Sequence, residues 1–156
     1  MQSDAIELLK HDSNYYGKFG QRYLSNSDIY SLLKNPRKFR QKEKSLPLLE
    51  GGYFHTAMLE PEKLGTYNII DVSSRATKGF KEFIKDNDLD PYDVLLTKEV
   101  EKINLWVDTM KSNFEMYTDI YAKGNIYEQP AVATIFGMNW KGKADIVTDT
   151  KVIDIK

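Results

Sequence analysis

The chain has no cysteine at all, which excludes a disulfide framework and any thiolate-based zinc, iron-sulfur or nucleophilic chemistry. It also lacks an apolar run approaching the roughly 18 residues of a membrane span, and a charged-then-apolar start of the kind that marks a signal peptide. A cytoplasmic protein with no membrane partner is therefore expected. An excess of one charge is missing too, since 22 Lys and Arg face 23 Asp and Glu for a formal net charge of -1. Any affinity for nucleic acid has to come from a local patch. No glycine-rich phosphate loop, serine-nucleophile motif, internal repeat, low-complexity tract or interdomain linker occurs.

What remains is an ordinary globular composition, 41% hydrophobic and 29% charged over 156 residues. That length supports a single domain over 1–156 with a real core.

The chemistry concentrates at the carboxyl-terminal end. Ala144 to Thr148 and Lys151 to Ile155 are two β-branched runs joined by Asp149-Thr150, the pattern of a tight hairpin. With a two-residue loop, each step back is matched by a step forward, so Asp145 is expected directly opposite Asp154. Directly opposed side chains have Cβ atoms roughly 4.5 to 5.5 Å apart, where like charges repel. A cation is expected between them, and hard carboxylate oxygens suit Mg2+ or Mn2+. Lys156, one pleat beyond Asp154, would point at the same spot and orient a water or stabilise phosphoryl charge.

Along the rest of the chain, a short helix is expected from Asp4 to Lys10, and Ser25-Asn26-Ser27-Asp28 reads as a capping box opening a helix that Asn35-Pro36 breaks. Pro36 is read as starting a further helix. Lys34, Arg37, Lys38, Arg40, Lys42 and Lys44 fall within eleven residues holding one acid, Glu43. This patch reads either as a track for a phosphate backbone or as a solvated helix face. Gly51 and Gly52 turn the chain or allow a close approach, and a short helix follows that carries His55. Alone, His55 reads as a partly buried histidine bonded to backbone. A strand is expected over Tyr67 to Val72, a helix capped by Thr77, and a long helix from Thr97 whose stripe runs Val100, Ile103, Val107, Met110, Phe114 and Tyr117. Ile126 to Phe136 reads as a strand that Pro130 confines to a sheet edge or a bulge. Glu128 is either an exposed strand residue or an extra metal ligand.

The run Gly-Lys-Ala-Asp145, eight intervening residues, then Asp154-Ile-Lys156 resembles the signature of the PD-(D/E)XK nuclease superfamily. Gly51-Gly52-Tyr53-Phe54-His55-Thr56-Ala57-Met58-Leu59-Glu60-Pro61-Glu62 is similar to the histidine helix of its RecB-like and RecE-like exonuclease branch, and Leu24 to Pro36 to that branch's opening. The resemblance implies an α+β, restriction-endonuclease-like core, with helices packed on a small mixed sheet ending in a β-hairpin. It implies His55, Asp145 and Asp154 as metal ligands, Lys156 as the catalytic lysine, and a metal-dependent exonuclease acting on duplex DNA ends in recombination or repair. A single-strand annealing or recombination protein is an implied partner, and a homo-oligomer an implied state. Members of the family continue through another helix and strand, so the core is expected to be incomplete and the chain a fragment of low activity. A DNA-binding module without catalysis and a structure-selective endonuclease are the alternatives.

Overall fold

The computed structural model describes residues 2–41 and 44–155, and the fold is α+β. In chain order the elements are α1 (Gln2–Leu9), α2 (Asp12–Tyr15), α3 (Asn26–Lys34), α4 (Leu46–Leu59), β1 (Asn68–Ile70), α5 (Lys78–Asp86), β2 (Val94–Leu96), α6 (Thr97–Ser112), α7 (Phe114–Ile120), β3 (Ile126–Ile135), β4 (Met138–Val147) and β5 (Val152–Ile153). Among the described residues no helix is long and apolar enough to cross a membrane. The chain divides into two compact units, one made of Met1–Lys42 with Ala122–Lys156 and the other of Glu43–Tyr121.

In the first unit β3, β4 and β5 form an antiparallel sheet in that order. A two-residue loop closes the β3–β4 hairpin, with φ of 51° at Phe136 and 74° at Gly137; two successive positive φ values suit a turn whose twist matches that of the strands. β3 is an edge strand, which accommodates Pro130 where a central strand would not. β4 and β5 meet in the expected register, Ile146 opposite Ile153 and Val147 opposite Val152. The Thr148 N–H donates to the Lys151 carbonyl at 2.9 Å, so Asp149 and Thr150 form the loop. Leu9, Tyr15, Pro130, Ile146 and Ile155 are buried, and α1 packs on β3. Leu24 bridges to Trp140 of β4, just ahead of the capping box in which Ser25 and Asp28 bond each other's backbone N–H at the start of α3.

The basic segment is not the expected helix. Only Pro36–Lys38 makes a single 3-10 turn, after which Phe39 leaves helical geometry and Arg40 takes a φ of 58°. The Arg40 guanidinium explains the bend: it donates to the carbonyls of Gln21 at 2.6 Å and Tyr23 at 3.0 Å and reaches Asp28 Oδ1 at 3.4 Å.

In the second unit β1 and β2 pair in parallel, Asn68 with Val94 through Ile70 with Leu96, and α5 makes the crossover that parallel strands need. Phe80 of α5 packs with Val94 and Leu96 to form the buried centre, and Ile70, Val72, Phe83, Ile84 and Leu89 surround it. Thr77 caps α5 as expected, accepting from the Phe80 N–H at 3.3 Å. The parallel and antiparallel pairings thus lie in separate sheets rather than the expected mixed one.

Two further expectations are corrected here. Gly51 and Gly52 lie inside α4 and do not turn the chain ahead of it. Each costs a helix interior about 1 kcal/mol, which packing of α4 on α6 and the Lys102–Glu50 contact at 2.6 Å offset. The long apolar stripe breaks at Asn113, whose backbone is extended and whose side chain accepts from the Met116 N–H at 3.0 Å, restarting the chain as α7. Ile103 and Val107 stay buried before the break, while Phe114 just after it is 81% exposed.

Candidate metal centre

β4 alternates faces, and with Ile146 fully buried, Lys143 and Asp145 project to the opposite side of the sheet. The β3–β4 register brackets one position: Tyr127 pairs with Ile146 and Gln129 with Ala144, so Glu128 faces Asp145. The ladder skips that pair because Glu128 has a φ of 49°, left-handed in the middle of a strand. Carboxylate oxygens of Glu128 and Asp145 lie within 4.8 Å of one another, and both residues are half-buried.

On the other side of β4, the β4–β5 ladder pairs Ile146 with Ile153 and Val147 with Val152, one step short of Asp145 and Asp154. The regular ladder ends at Ile153. Instead, Asp145 Oδ2 accepts from the Ile155 N–H at 2.7 Å, fixing the carboxylate by a bond to the backbone two residues past the last strand pair. Asp154 itself is exposed and lies outside the carboxylate cluster that contains Glu128 and Asp145. Glu128, the weaker candidate of the sequence reading, is an acid that the β3–β4 register brings to Asp145.

A lysine completes this environment. Lys143 Nζ lies 2.7 Å from Asp12 Oδ1 and 3.3 Å from Glu128 Oε2, with only 11% of its side chain exposed. It stands over the rings of Tyr15 at 4.8 Å and Tyr16 at 5.5 Å, within cation-π range. Burial acts to lower its pKa, but the hydrogen bond to Asp12 and the charges of Tyr16, Asp12 and Glu128 outweigh it, and the net shift is upward. Lys143 is a fixed positive charge at neutral pH. Neighbouring Lys141 donates to the Tyr15 carbonyl and lies 4.2 Å from that ring; burial, the largest influence on it, lowers its pKa. Tyr15 is pushed up to about 12, first by burial and then by Tyr16.

Lys143 was legible as a face-mate of Asp145 through strand alternation. Asp12, Tyr15 and Tyr16 were not, because their segment shows no sustained period and meets β4 only through the fold.

The other expected site residues are distributed as follows. His55 is half-buried in the middle of α4, in the second unit, with its ring edge-on to Phe54 at 6.2 Å. Lys156 and Lys42 lie outside the described residues. Lys34, Arg37 and Lys38 are exposed. Arg40 is spent on the bonds described above, and Lys44 is paired with Asp93 at 2.5 Å, so two members of the basic patch already have partners within the chain.

The residue types fit a hard divalent cation. Metal-oxygen distances of about 2.1 Å place neighbouring ligand oxygens about 3 Å apart and opposed ones about 4 Å apart, and the Glu128 and Asp145 oxygens, within 4.8 Å of one another, are close enough for such a shell. Compared with known proteins, the chain matches no family model, no curated sequence and no solved structure.

Proposed function

We propose that this chain is a Mg2+-dependent deoxyribonuclease, an exonuclease acting on duplex ends, built on a restriction-endonuclease-like core of the PD-(D/E)XK kind. The observation that carries the reading is the half-buried Glu128–Asp145 pair on β3 and β4, with Asp154 just beyond the last β5 pair. Two acids forced together, one of them through a strained backbone, favour a cation between them. Asp145 and Glu128 would hold Mg2+ or Mn2+, with Asp154 alongside. When bound, such an ion stabilises charge on the phosphoryl oxygens and acidifies a water.

The chain's own residues do the rest. The Ile155 N–H holds Oδ2 of Asp145, which would leave the other oxygen for a cation. Lys143 steadies Glu128. Lys156 takes the role of orienting the attacking water, and Lys34, Arg37 and Lys38 the role of following a DNA phosphate backbone. Recombination or repair at duplex ends, alongside a single-strand annealing protein or in a homo-oligomer, is the setting that the resemblance suggests.

Linear and closed circular duplex DNA incubated with the chain, with Mg2+ or with chelator, tests this reading. Mg2+-dependent loss of the linear form is expected, reduced at least about 100-fold in Asp145→Asn and Glu128→Gln. Cleavage of the circle would favour an endonuclease, and binding without cleavage, unchanged in chelator, a DNA-binding module. Cleavage that survives chelator or Asp145→Asn overturns the assignment.

A further inference from the structure

We propose that Lys143 is a built-in cation that competes with the divalent ion for Glu128 and so sets how tightly the centre binds metal. The inference rests on the reading of Glu128 and Asp145 as ligands, and it concerns the regulation of that same site.

The geometry gives Lys143 two unequal carboxylate partners. Asp12 Oδ1 is at 2.7 Å and Glu128 Oε2 at 3.3 Å, so Asp12 is the anchor and Glu128 the looser contact. Asp12 is 49% exposed by its side chain and Glu128 only 21%. The less hydrated acid gains more from a cation beside it. The Tyr15 and Tyr16 rings hold the amine from a further side and keep it from swinging out to water. Without metal the ammonium balances Glu128. With metal the Glu128 carboxylate would serve the ion, and a fixed positive charge one contact away opposes it. An anchored lysine beside paired acids thus lowers affinity and stabilises the metal-free chain.

Titration calorimetry of the full chain with Mg2+, and Mn2+ binding followed by electron paramagnetic resonance, distinguish the cases. Lys143→Met is expected to bind on the order of ten-fold more tightly than wild type, while Lys143→Arg, which keeps the charge, stays near it. Asp12→Asn, which leaves Lys143 to lean on Glu128, is expected to bind several-fold more weakly. Thermal melting in chelator establishes that each variant is folded; should Lys143→Met fail to fold, the sign of the Asp12→Asn shift decides. Affinity unchanged or weakened in Lys143→Met, or tightened in Asp12→Asn, overturns the competition. Asp145→Asn separates the two readings: if it binds as wild type does, the ligand assignment fails whatever Lys143 does. A wild type that binds no metal while Lys143→Met does supports the competition, and no binding by any form overturns both.

Discussion

Glu128 has a left-handed backbone, φ 49°, at a strand position where glycine would be the ordinary choice. The conformation costs a residue with a Cβ about 1–2 kcal/mol, and strain of this kind collects where a side chain must be aimed. Two substitutions isolate it, because Glu128→Ala and Glu128→Gly lose the same carboxylate. Glycine in a strand is normally the less stable of the two by about 0.5–1 kcal/mol. Here the order should reverse, with Glu128→Gly more stable than Glu128→Ala by about 1 kcal/mol in urea denaturation. The usual order would mean that the bend is not strained.

A second residue-scale prediction concerns Arg75 and Glu99. The Arg75 guanidinium forks onto both oxygens of Glu99, and its Nη2 also donates to the Val94 carbonyl at 2.8 Å. Glu99 in turn accepts from the Leu96 N–H at 2.9 Å. Burial pushes the Glu99 pKa up, but the hydrogen bonds from Arg75 and Leu96 and the charges of Arg75 and Lys102 more than reverse it, so the net shift is downward. A lowered folded pKa means stability that is complete above the unfolded value of about 4.3 and is lost as pH falls through the folded value. Glu99→Ala should cost about 3 kcal/mol at pH 7 by leaving Arg75 unpaired. The gap between wild type and variant should narrow below about pH 4 in denaturant titrations, and a constant gap would count against the pairing.

Elements differ in how plainly they announce themselves. Ser25 with Asp28, and Thr77, mark helix starts by local chemistry, and both caps form. The β4–β5 register is equally local, fixed by a two-residue loop and a period of two. β2 offered no such cue, since Val94–Leu96 is too short to show alternation and is buried throughout. The break between α6 and α7 was hidden because the apolar spacing continues across Asn113 while the backbone does not. The acid facing Asp145 was underrated for a similar reason: nothing in Tyr-Glu-Gln-Pro signals a positive φ at Glu128. The Lys143–Asp12 contact spans 131 residues, beyond any periodicity argument.

The β3–β4 turn gives an element-scale prediction. Phe136 is 93% exposed with φ 51°, ahead of Gly137, so its ring buries little there while its Cβ is strained. Phe136→Asn, which tolerates that backbone and completes the Asn-Gly turn, should raise stability by about 1 kcal/mol. Thermal or urea unfolding reads the change, and a loss of stability would show that the ring contributes more than its exposure suggests.

At the scale of the molecule, one unit is continuous in sequence and the other is not. Glu43–Tyr121 carries its own βαβ crossover, the Phe80-centred core and the Arg75–Glu99 clamp. Expressed alone, it should unfold cooperatively with helical circular dichroism; a non-cooperative melt would show that this core is too small to stand by itself. No comparable piece of the first unit is expected to fold, because α1 needs β3, Leu24 needs Trp140, and Asp12 needs Lys143.

That discontinuity sets an order of events on the ribosome. The amino-terminal helices emerge first and must wait for the whole second unit, about eighty residues, or roughly 4–16 s at ordinary rates of translation, before their partner strands exist. Through that interval Leu9 and Tyr15 have no sheet to cover them, which leaves the nascent chain open to chaperone capture. The two acids face each other only once the β3–β4 hairpin has been synthesised.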